Sequence, residues 1–214
     1  MADDILDYWM AEARVLAARF NVDDFDKSSA FWNWDNFGEE IAKLKKVLKL
    51  NEPSIDILGF HVDLETGKTT DTFTGKEVST SKVLPHLYYY TKAKDKGVAG
   101  EWSKYNALQG SWACRYSFDE EDVKALTTVF EEKKDKLFEV LERLGGKRVD
   151  HGDAAFELEF MPKVKVLLIF EEADEEFPAS VRLLYDKNSI YYQPHEMLGN
   201  ISWFLASRVF KALA

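Results

Sequence analysis

Hydrophobic side chains recur along this chain at two different spacings. Near its start, Trp9, Ala13, Leu16 and Phe20 follow the helical period of about 3.6 residues, which predicts a helix over residues 3–21. The same spacing predicts further helices over residues 35–49, 81–94 and 120–144, and a closing helix that Pro194 can open at its first turn.

Shorter apolar runs bounded by turn residues predict strands. Residues 55–64 and 69–73 are expected to pair through a turn at Glu65-Thr66-Gly67-Lys68, with a second turn at Thr74-Gly75-Lys76. Three later runs, separated by tight breaks, predict the centre of a sheet: Ala155–Phe160, Val164–Phe170 and Val181–Tyr185. An α+β fold follows, with a mostly antiparallel central sheet of about five to six strands flanked by helices.

The organisation of the chain favours a single domain over residues 1–214, because neither an internal repeat nor a linker is evident. Residues 1–50 are expected to form a helical N-terminal cap on the α+β core. Within that cap, Phe31, Trp32 and Trp34 stand among short polar residues. An exposed aromatic cluster of this kind is typical of a protein-interaction surface.

Charge narrows the range of partners. The net charge of -10 opposes binding to nucleic acid and to anionic membranes, because phosphate contacts need Lys and Arg. Cys114 is the only cysteine, which excludes an internal disulfide and a cysteine-built metal cluster and fits a reducing compartment. The acidic N-terminus differs from a signal peptide, and no apolar stretch approaches the ~20 residues that span a bilayer. We therefore expect a soluble cytoplasmic protein.

The acidic run from Glu171 to Glu176 is the strongest candidate for a site. Its carboxylates could hold Ca²⁺ or Mg²⁺, but their spacing matches no EF-hand loop, and a solvated turn between two strands is the simpler interpretation. Phe177 and Pro178 follow directly, and we expect Phe177 to be buried and to anchor the run in the core. Asp153 and Asp186 are either ligands or general bases, or residues that bond the backbone of their own turns.

A second candidate segment follows the break at Gly100 and mixes aromatic with charged residues, as a ligand pocket does. We expect it to meet the acidic run, so that at least one of Asp153, Glu175 and Glu176 is partly buried. The alternative is that the two segments close turns at opposite ends of the sheet. The candidate ligand-binding residues are Glu101, Trp102, Tyr105, Arg115, Asp153, Asp174, Glu175, Glu176 and Asp186.

The chain resembles an uncharacterised family, the domain of unknown function 3786, found in anaerobic bacteria and archaea. The resemblance covers roughly residues 53–212 and rests on Gly100-Glu101-Trp102, Leu144-Gly145-Gly146, Gly152-Asp153-Ala154-Ala155-Phe156, Met161-Pro162-Lys163-Val164, Asp174-Glu175-Glu176-Phe177-Pro178-Ala179, Leu184-Tyr185-Asp186 and Tyr192-Gln193-Pro194. This chain departs from the family pattern at Ala173, in lacking a Trp near Glu171, and at His195-Glu196-Met197. The resemblance implies a fold and a site region, and it implies no activity.

The four histidines share no metal-ligand spacing. His151 and His195 lie nearest to the family-like motifs and are weak candidates for ligands of a tetrapyrrole or a divalent metal, so the cofactor is left open. Cys114, next to Arg115, is more typical of a buried, inert thiol than of a nucleophile, which needs a neighbouring base.

Three functions remain open at the level of sequence. A non-enzymatic module that binds a small ligand or cofactor in anaerobic metabolism is favoured, because the chain has no recognised nucleophile, metal or nucleotide motif. One alternative is a small enzyme that uses Asp153, Glu175 or Glu176 as acid/base groups or metal ligands. The other is a protein-interaction subunit that uses the aromatic patch from Phe31 to Trp34.

Overall fold

The computed structural model describes residues 3–20, 31–48, 52–108 and 120–214, and it confirms an α+β fold. The chain divides into two compact units. The first consists of Met1–Asp95 and Tyr191–Pro194, and the second of Lys96–Ile190 and His195–Ala214. The strands of the described residues form two antiparallel sheets, of four and five strands, where the sequence predicted one central sheet. The single domain stays a prediction.

The helices described in the first unit are α1 (Asp3–Phe20), α2 (Trp34–Ile41), α3 (Leu44–Val47) and α4 (Leu84–Thr91). The predicted first helix is confirmed by α1, which buries Trp9 and Leu16. The single helix predicted over 35–49 is wrong, since the chain turns at Ala42 and Lys43 between α2 and α3. The Lys43 N–H bonds the carbonyl three residues earlier at 3.3 Å, which tightens the backbone at this point.

The sheet of the first unit contains β1 (Ser54–Ile57), β2 (Phe60–Asp63), β3 (Thr69–Asp71) and β4 (Glu77–Val78), in that order. The prediction of one strand over 55–64 is wrong, because β1 and β2 form a tight hairpin in which Ile57 pairs with Phe60. Its two turn residues, Leu58 and Gly59, have φ of 38° and 83°. A leucine rarely adopts positive φ, so the sequence gives little sign of this turn.

The turns that follow β2 and β3 share one sequence, Asp-x-x-Thr-Gly-Lys, and one geometry. In each turn, the first aspartate, Asp63 or Asp71, accepts the N–H groups two and three residues later on Oδ1, at 2.8 to 3.3 Å. The glycines, Gly67 and Gly75, have φ of +74° and +66° and donate to the carbonyl of the same aspartate at 2.9 and 2.8 Å. The expectation that the chain has no internal repeat is therefore wrong for this short segment.

The aromatic residues at the start of α2 pack against other residues of the first unit. Phe31 is only 8% exposed, and the ring of Trp32 stacks on Phe37 at 4.8 Å. The ring of Trp34 lies so close to Gly38 and Gly67 that an added Cβ would meet it at 2.5 and 2.3 Å. Phe31 is buried and Trp32 and Trp34 are half-buried, so these residues do not form the fully exposed patch that the sequence predicted, and the role as an interaction subunit stays a prediction. Residues 21–30, which precede them, lie outside the described residues.

The second unit holds the sheet that the three apolar runs predicted. Its strands are β5 (Trp102–Ser103), β6 (Lys147–Val149), β7 (Ala154–Met161), β8 (Val164–Glu171) and β9 (Ser180–Asp186), in the order β5-β9-β8-β7-β6. All pairs are antiparallel. The unbroken apolar run in β8 is buried along most of its length, as a strand with both faces covered requires.

Two long helices described in this unit are α5 (Glu120–Arg143) and α6 (His195–Leu213), close to the predicted bounds. The ring of Phe138 on α5 contacts Phe156 and Phe170 at 5.1 and 5.2 Å, and Phe204 on α6 contacts Phe160 at 5.5 Å. These contacts bury one face of the sheet under both helices. On the opposite face, an apolar cluster is formed by Ala155, Leu167 and Ile169, with Trp102 and Leu184 packed against it.

Candidate functional site

The Gly-Asp pair before β7 binds the end of β8. Gly152 has φ of +56°, and a Cβ there would meet the Phe170 carbonyl oxygen at 2.9 Å, so this close approach requires glycine. The Asp153 N–H donates to the same carbonyl at 3.0 Å, and Asp153 Oδ2 accepts the Glu172 N–H at 2.7 Å. Asp153 therefore stabilises the C-terminal end of β8. The sequence offered a role in its own turn, whereas the carboxylate bonds the backbone of a neighbouring segment.

The connection from β8 to β9 contains a turn that Asp174 organises. Its Oδ1 accepts the N–H groups of Glu176 and Phe177 at 2.8 and 2.7 Å, and its own N–H donates to the Phe177 carbonyl at 2.9 Å. The two backbone donors, Phe177 first, hold the pKa of Asp174 below its usual value, because they stabilise the charged carboxylate. Asp174 thus remains ionised while it holds the turn.

These two segments meet and border one hollow of about 470 Å³, the acidic hollow. Two of its carboxylates form ion pairs: Glu172 with Lys134 of α5, and Glu171 with Arg182 of β9. The hydrogen bond from Lys134 raises the pKa of that amine. The lining residues are Gly152, Asp153, Glu171, Glu172, Asp174, Phe177, Pro178 and Ser180. Of the residues predicted for the site, Asp153 and Asp174 are brought together here.

Phe177 lies at the rim of the acidic hollow and is 66% exposed, so the prediction that it is buried is wrong. The connection is held by the hydrogen bonds of Asp174 and Asp153, and a buried ring is not required to anchor it. Asp153, Glu175 and Glu176 are also exposed, against the expectation that one of them would be partly buried. The exposed ring is the feature that sequence reasoning missed, although the Asp174-x-x-Phe177 spacing indicates the turn that presents it.

The other predicted segment begins at the far end of β9. Trp102 pairs with Asp186, the last residue of β9, whereas the acidic connection enters the strand at Ser180. Six residues of extended strand span about 20 Å, so Trp102 itself lies far from the acidic connection. Lys104, Tyr105 and Asn106 follow it and line a cavity together with Arg182, which pairs with Glu171 of the acidic hollow. The two segments are apart at Trp102, and their meeting along the rest of residues 100–115 stays a prediction. Arg115 lies outside the described residues.

Asp186 is fully buried and serves the backbone. Its Oδ1 accepts the N–H groups of Ala99 and Asn188 at 3.0 and 2.9 Å, and Oδ2 accepts that of Gly100 at 2.7 Å. Three donors compensate its burial and fix the segment that leads into β5. A buried carboxylate used in this way is not available to a ligand, so the structural interpretation of Asp186 is the one supported.

The remaining candidates near β5 also have structural partners. Glu101 forms an exposed ion pair with Lys187 at 2.7 Å, which lowers the pKa of Glu101. Tyr105 is buried and donates from its hydroxyl to the His195 carbonyl at 3.0 Å. A smaller cavity of about 280 Å³ beside Tyr105 is lined by Lys104, Tyr105, Asn106, Glu120, Val123, Arg182, Leu183 and Leu184.

Neither weak histidine candidate lies in a metal-binding group of described residues. Within the described parts of the chain, no three His, Cys, Asp or Glu side chains are arranged to hold a metal ion. His151 is exposed, whereas His195 is 3% exposed and its Nε2 has no hydrogen-bond partner among the described residues. Burial lowers the pKa of His195 to about 4, so the neutral ring is the form at the start of α6. Cys114 lies outside the described residues.

Comparison with known families assigns the chain to a family. Residues 52–208 match the family described as "Domain of unknown function (DUF3786)", which is well over half of the chain. The chain belongs to this family, as its motifs indicated. Neither the curated proteins nor the solved structures give a match. Among the helices of the described residues, none has the length and apolar character needed to cross a membrane.

Proposed function

We propose that this protein is a ligand-binding module whose site is the acidic hollow, and that its ligand is a small molecule with a positive charge. The family resemblance includes both halves of this region, Gly152-Asp153 and Asp174-Glu175-Glu176-Phe177-Pro178. The hollow, at about 470 Å³, has the size of a small-molecule site.

The charge around the hollow supports a cationic ligand. Two cations, Lys134 and Arg182, pair with carboxylates there. Six carboxylates lie on the two segments, which leaves an excess of negative charge: Asp153, Glu171, Glu172, Asp174, Glu175 and Glu176. Glu175 and Glu176 are exposed, and their carboxylates have no ion pair or hydrogen bond within the described residues. They can therefore contact a ligand at no cost to the fold.

The exposed ring of Phe177 carries the proposal. Asp174 fixes the backbone of Phe177 through its N–H and its carbonyl, so the ring is held at the rim instead of collapsing onto the sheet. A large apolar side chain in water is unfavourable by itself. Beside carboxylates, the face of an aromatic ring binds ammonium groups within about 6 Å. An exposed ring in this setting therefore fits a ligand that carries an ammonium group.

A binding role without catalysis is supported by how the carboxylates are used. Asp153 and Asp174 already accept backbone N–H groups that stabilise the hollow. Glu171 and Glu172 are held in ion pairs. Protonation of these four carboxylates would weaken the bonds they accept, whereas a binding surface keeps them. Glu175 and Glu176 have no such bonds within the described residues and are the groups that the alternative, a small enzyme, would use.

Titration calorimetry with a linear diamine, a quaternary ammonium compound and their neutral isosteres tests the proposal. We expect saturable heats with the cations and none with the isosteres. Phe177→Ala should weaken the affinity at least fivefold, while Phe210→Ala, which removes another exposed Phe, should leave it unchanged. The proposal is wrong if no cation binds, or if the Phe177→Ala variant binds the cations with the same affinity as the wild-type protein.

A further inference from the structure

The outer side of α6 carries a narrow exposed strip. Most of the helix is buried, including Leu198, Ile201, Leu205 and Val209, as its periodicity predicted. The exposed residues in its middle and at its ends form what we name the α6 ridge: Glu196, Trp203, Ser207, Phe210 and Lys211. Trp203 is 49% exposed and Phe210 is 45% exposed. Two large apolar side chains therefore stand in solvent on one helix.

The members of the α6 ridge share one face of the helix. Glu196, Trp203 and Phe210 follow each other at intervals of seven residues, which is close to two helical turns. Ser207 lies one turn after Trp203, Lys211 lies one turn after Ser207, and the half-buried Asn200 lies one turn before Trp203. The ridge thus presents an aromatic centre with a carboxylate near its N-terminal end and an amine near its C-terminal end.

This arrangement is complementary to itself. Two copies of α6 placed antiparallel, with a two-fold axis passing between Trp203 and Phe204, bring Glu196 of one copy opposite Lys211 of the second. Asn200 then lies opposite Ser207, and the two Trp203 rings meet at the axis. Each contact occurs twice, as an isologous two-fold interface requires.

The charge of the whole chain limits where two copies can meet. The chain has 38 acidic and 28 basic residues, so two copies repel each other over most of their surface. The α6 ridge contains one acid and one base and has no net charge. A neutral surface with exposed aromatic side chains and opposite charges at its two ends is suited to contact between copies.

We propose that the α6 ridge is the contact surface of a homodimer, with the two α6 helices antiparallel. A single pair of helices buries less than the about 800 Å² per partner of a standard interface. The dimer is therefore a weak one, whose formation depends on protein concentration between the micromolar and the millimolar range. This inference is independent of the acidic hollow and survives if no cation binds there.

Sedimentation equilibrium over that concentration range tests the dimer. The wild-type chain should shift toward twice the monomer mass as concentration rises. Trp203→Ala should abolish the shift, and Phe177→Ala, which removes an exposed ring elsewhere, should not change it. Circular dichroism melts show whether the Trp203→Ala variant remains folded. A monomeric wild type at every concentration overturns the proposal.

Charge reversal tests the antiparallel register even if the aromatic variant misfolds. Glu196→Lys and Lys211→Glu alone place like charges opposite each other and should each weaken the dimer. The double variant should restore it, and so should an equimolar mixture of the two single variants, because both pairs are attractive in the mixed dimer. Glu52→Lys and Lys76→Glu change the net charge by the same amounts away from the ridge. If these controls weaken the dimer as much as the ridge variants do, or if the mixture does not restore it, the proposed contact is wrong.

Discussion

The turn after β2 and the turn after β8 use the same local device in two different surroundings. Asp63 in the first unit and Asp174 in the second each accept two backbone N–H groups, from residues two and three positions later, at 2.7 to 2.8 Å. In both turns these donors hold the pKa of the aspartate below its usual value. The device is an Asx-type turn, which depends on neighbours in sequence alone.

The two turns differ in the side chains that pack on them. The ring of Trp34 packs on Gly67 of the first turn, and the Thr80 hydroxyl donates to the Gly67 carbonyl. The second turn leaves Phe177 in solvent at the rim of the acidic hollow. The same backbone thus makes a packed structural element in one unit and a candidate binding site in the other. Tertiary packing against the turn, and not the turn itself, distinguishes the two.

The largest expected effect is a loss of unfolding free energy at low pH, and it can be measured in both units. Burial lowers the pKa of His86, in the first unit, and of His195, in the second, from 6.5 to about 4. Because the folded pKa is below the unfolded one, each neutral ring contributes stability above pH 6.5 that is lost as the pH falls toward 4. Each loss amounts to about 3 kcal/mol. Urea unfolding measured between pH 7 and pH 4 checks this.

The substitutions His86→Gln and His195→Gln measure separately how much each histidine contributes to the pH dependence of the unfolding free energy. Each substitution should flatten the pH dependence of the unfolding free energy, whatever it does to stability at pH 7. A pH dependence unchanged in both variants would show that the acid sensitivity arises elsewhere.

The next effect compares the two glycines of the repeated turn. Gly67→Ala should cost about 3 kcal/mol, because it adds overpacking against Trp34 to the strain of a positive φ. Gly75→Ala has no atom within 4 Å of the new Cβ and should cost about 1 kcal/mol for the strain alone. Urea unfolding midpoints measure both. A Trp34→Ala background should reduce the difference, and equal losses in the native background would contradict the role given to Trp34.

A smaller effect tests whether the two aspartates are equivalent. Asp63→Ala and Asp174→Ala should each lower the thermal midpoint by less than Gly67→Ala does, since each loses two backbone acceptor contacts of a turn. Asp63→Asn and Asp174→Asn keep an acceptor oxygen and should lose less. Thermal melts of the four variants decide the point. If Asn is no better than Ala at either position, charge and not turn geometry is what the site requires.

The smallest effect on stability is expected at the exposed ring. Phe177→Ala should change the unfolding free energy by no more than about 0.5 kcal/mol, as other surface substitutions do. Its effect should appear in cation affinity alone. A loss of several kcal/mol in urea unfolding would mean that the ring is buried in solution and would remove the basis of the proposed site.

Local sequence predicted a large part of this structure. The helices α1, α5 and α6, the strands β7 to β9 and the glycine turns after β2 and β3 follow from periodicity and from turn residues. Prediction failed where the fold imposes a backbone conformation that the residue type does not favour. Leu58 adopts positive φ because the pairing of β1 with β2 holds it there, and no property of leucine indicates this.

The candidate site also combines features that the sequence predicted with features that only the tertiary structure decided. The sequence indicated the acidic run and the adjacent Gly152 and Asp153 as parts of a site, because glycine, aspartate and carboxylate clusters act through short-range chemistry. The sequence could not indicate that Asp153 meets the acidic connection while Trp102 lies about 20 Å away, since the antiparallel order of β7, β8 and β9 decides which strand ends are neighbours. The exposure of Phe177 was likewise decided only in the tertiary structure. Whether a ring is buried depends on which distant residues reach it, and in the described chain Trp34 has such neighbours whereas Phe177 remains largely in solvent.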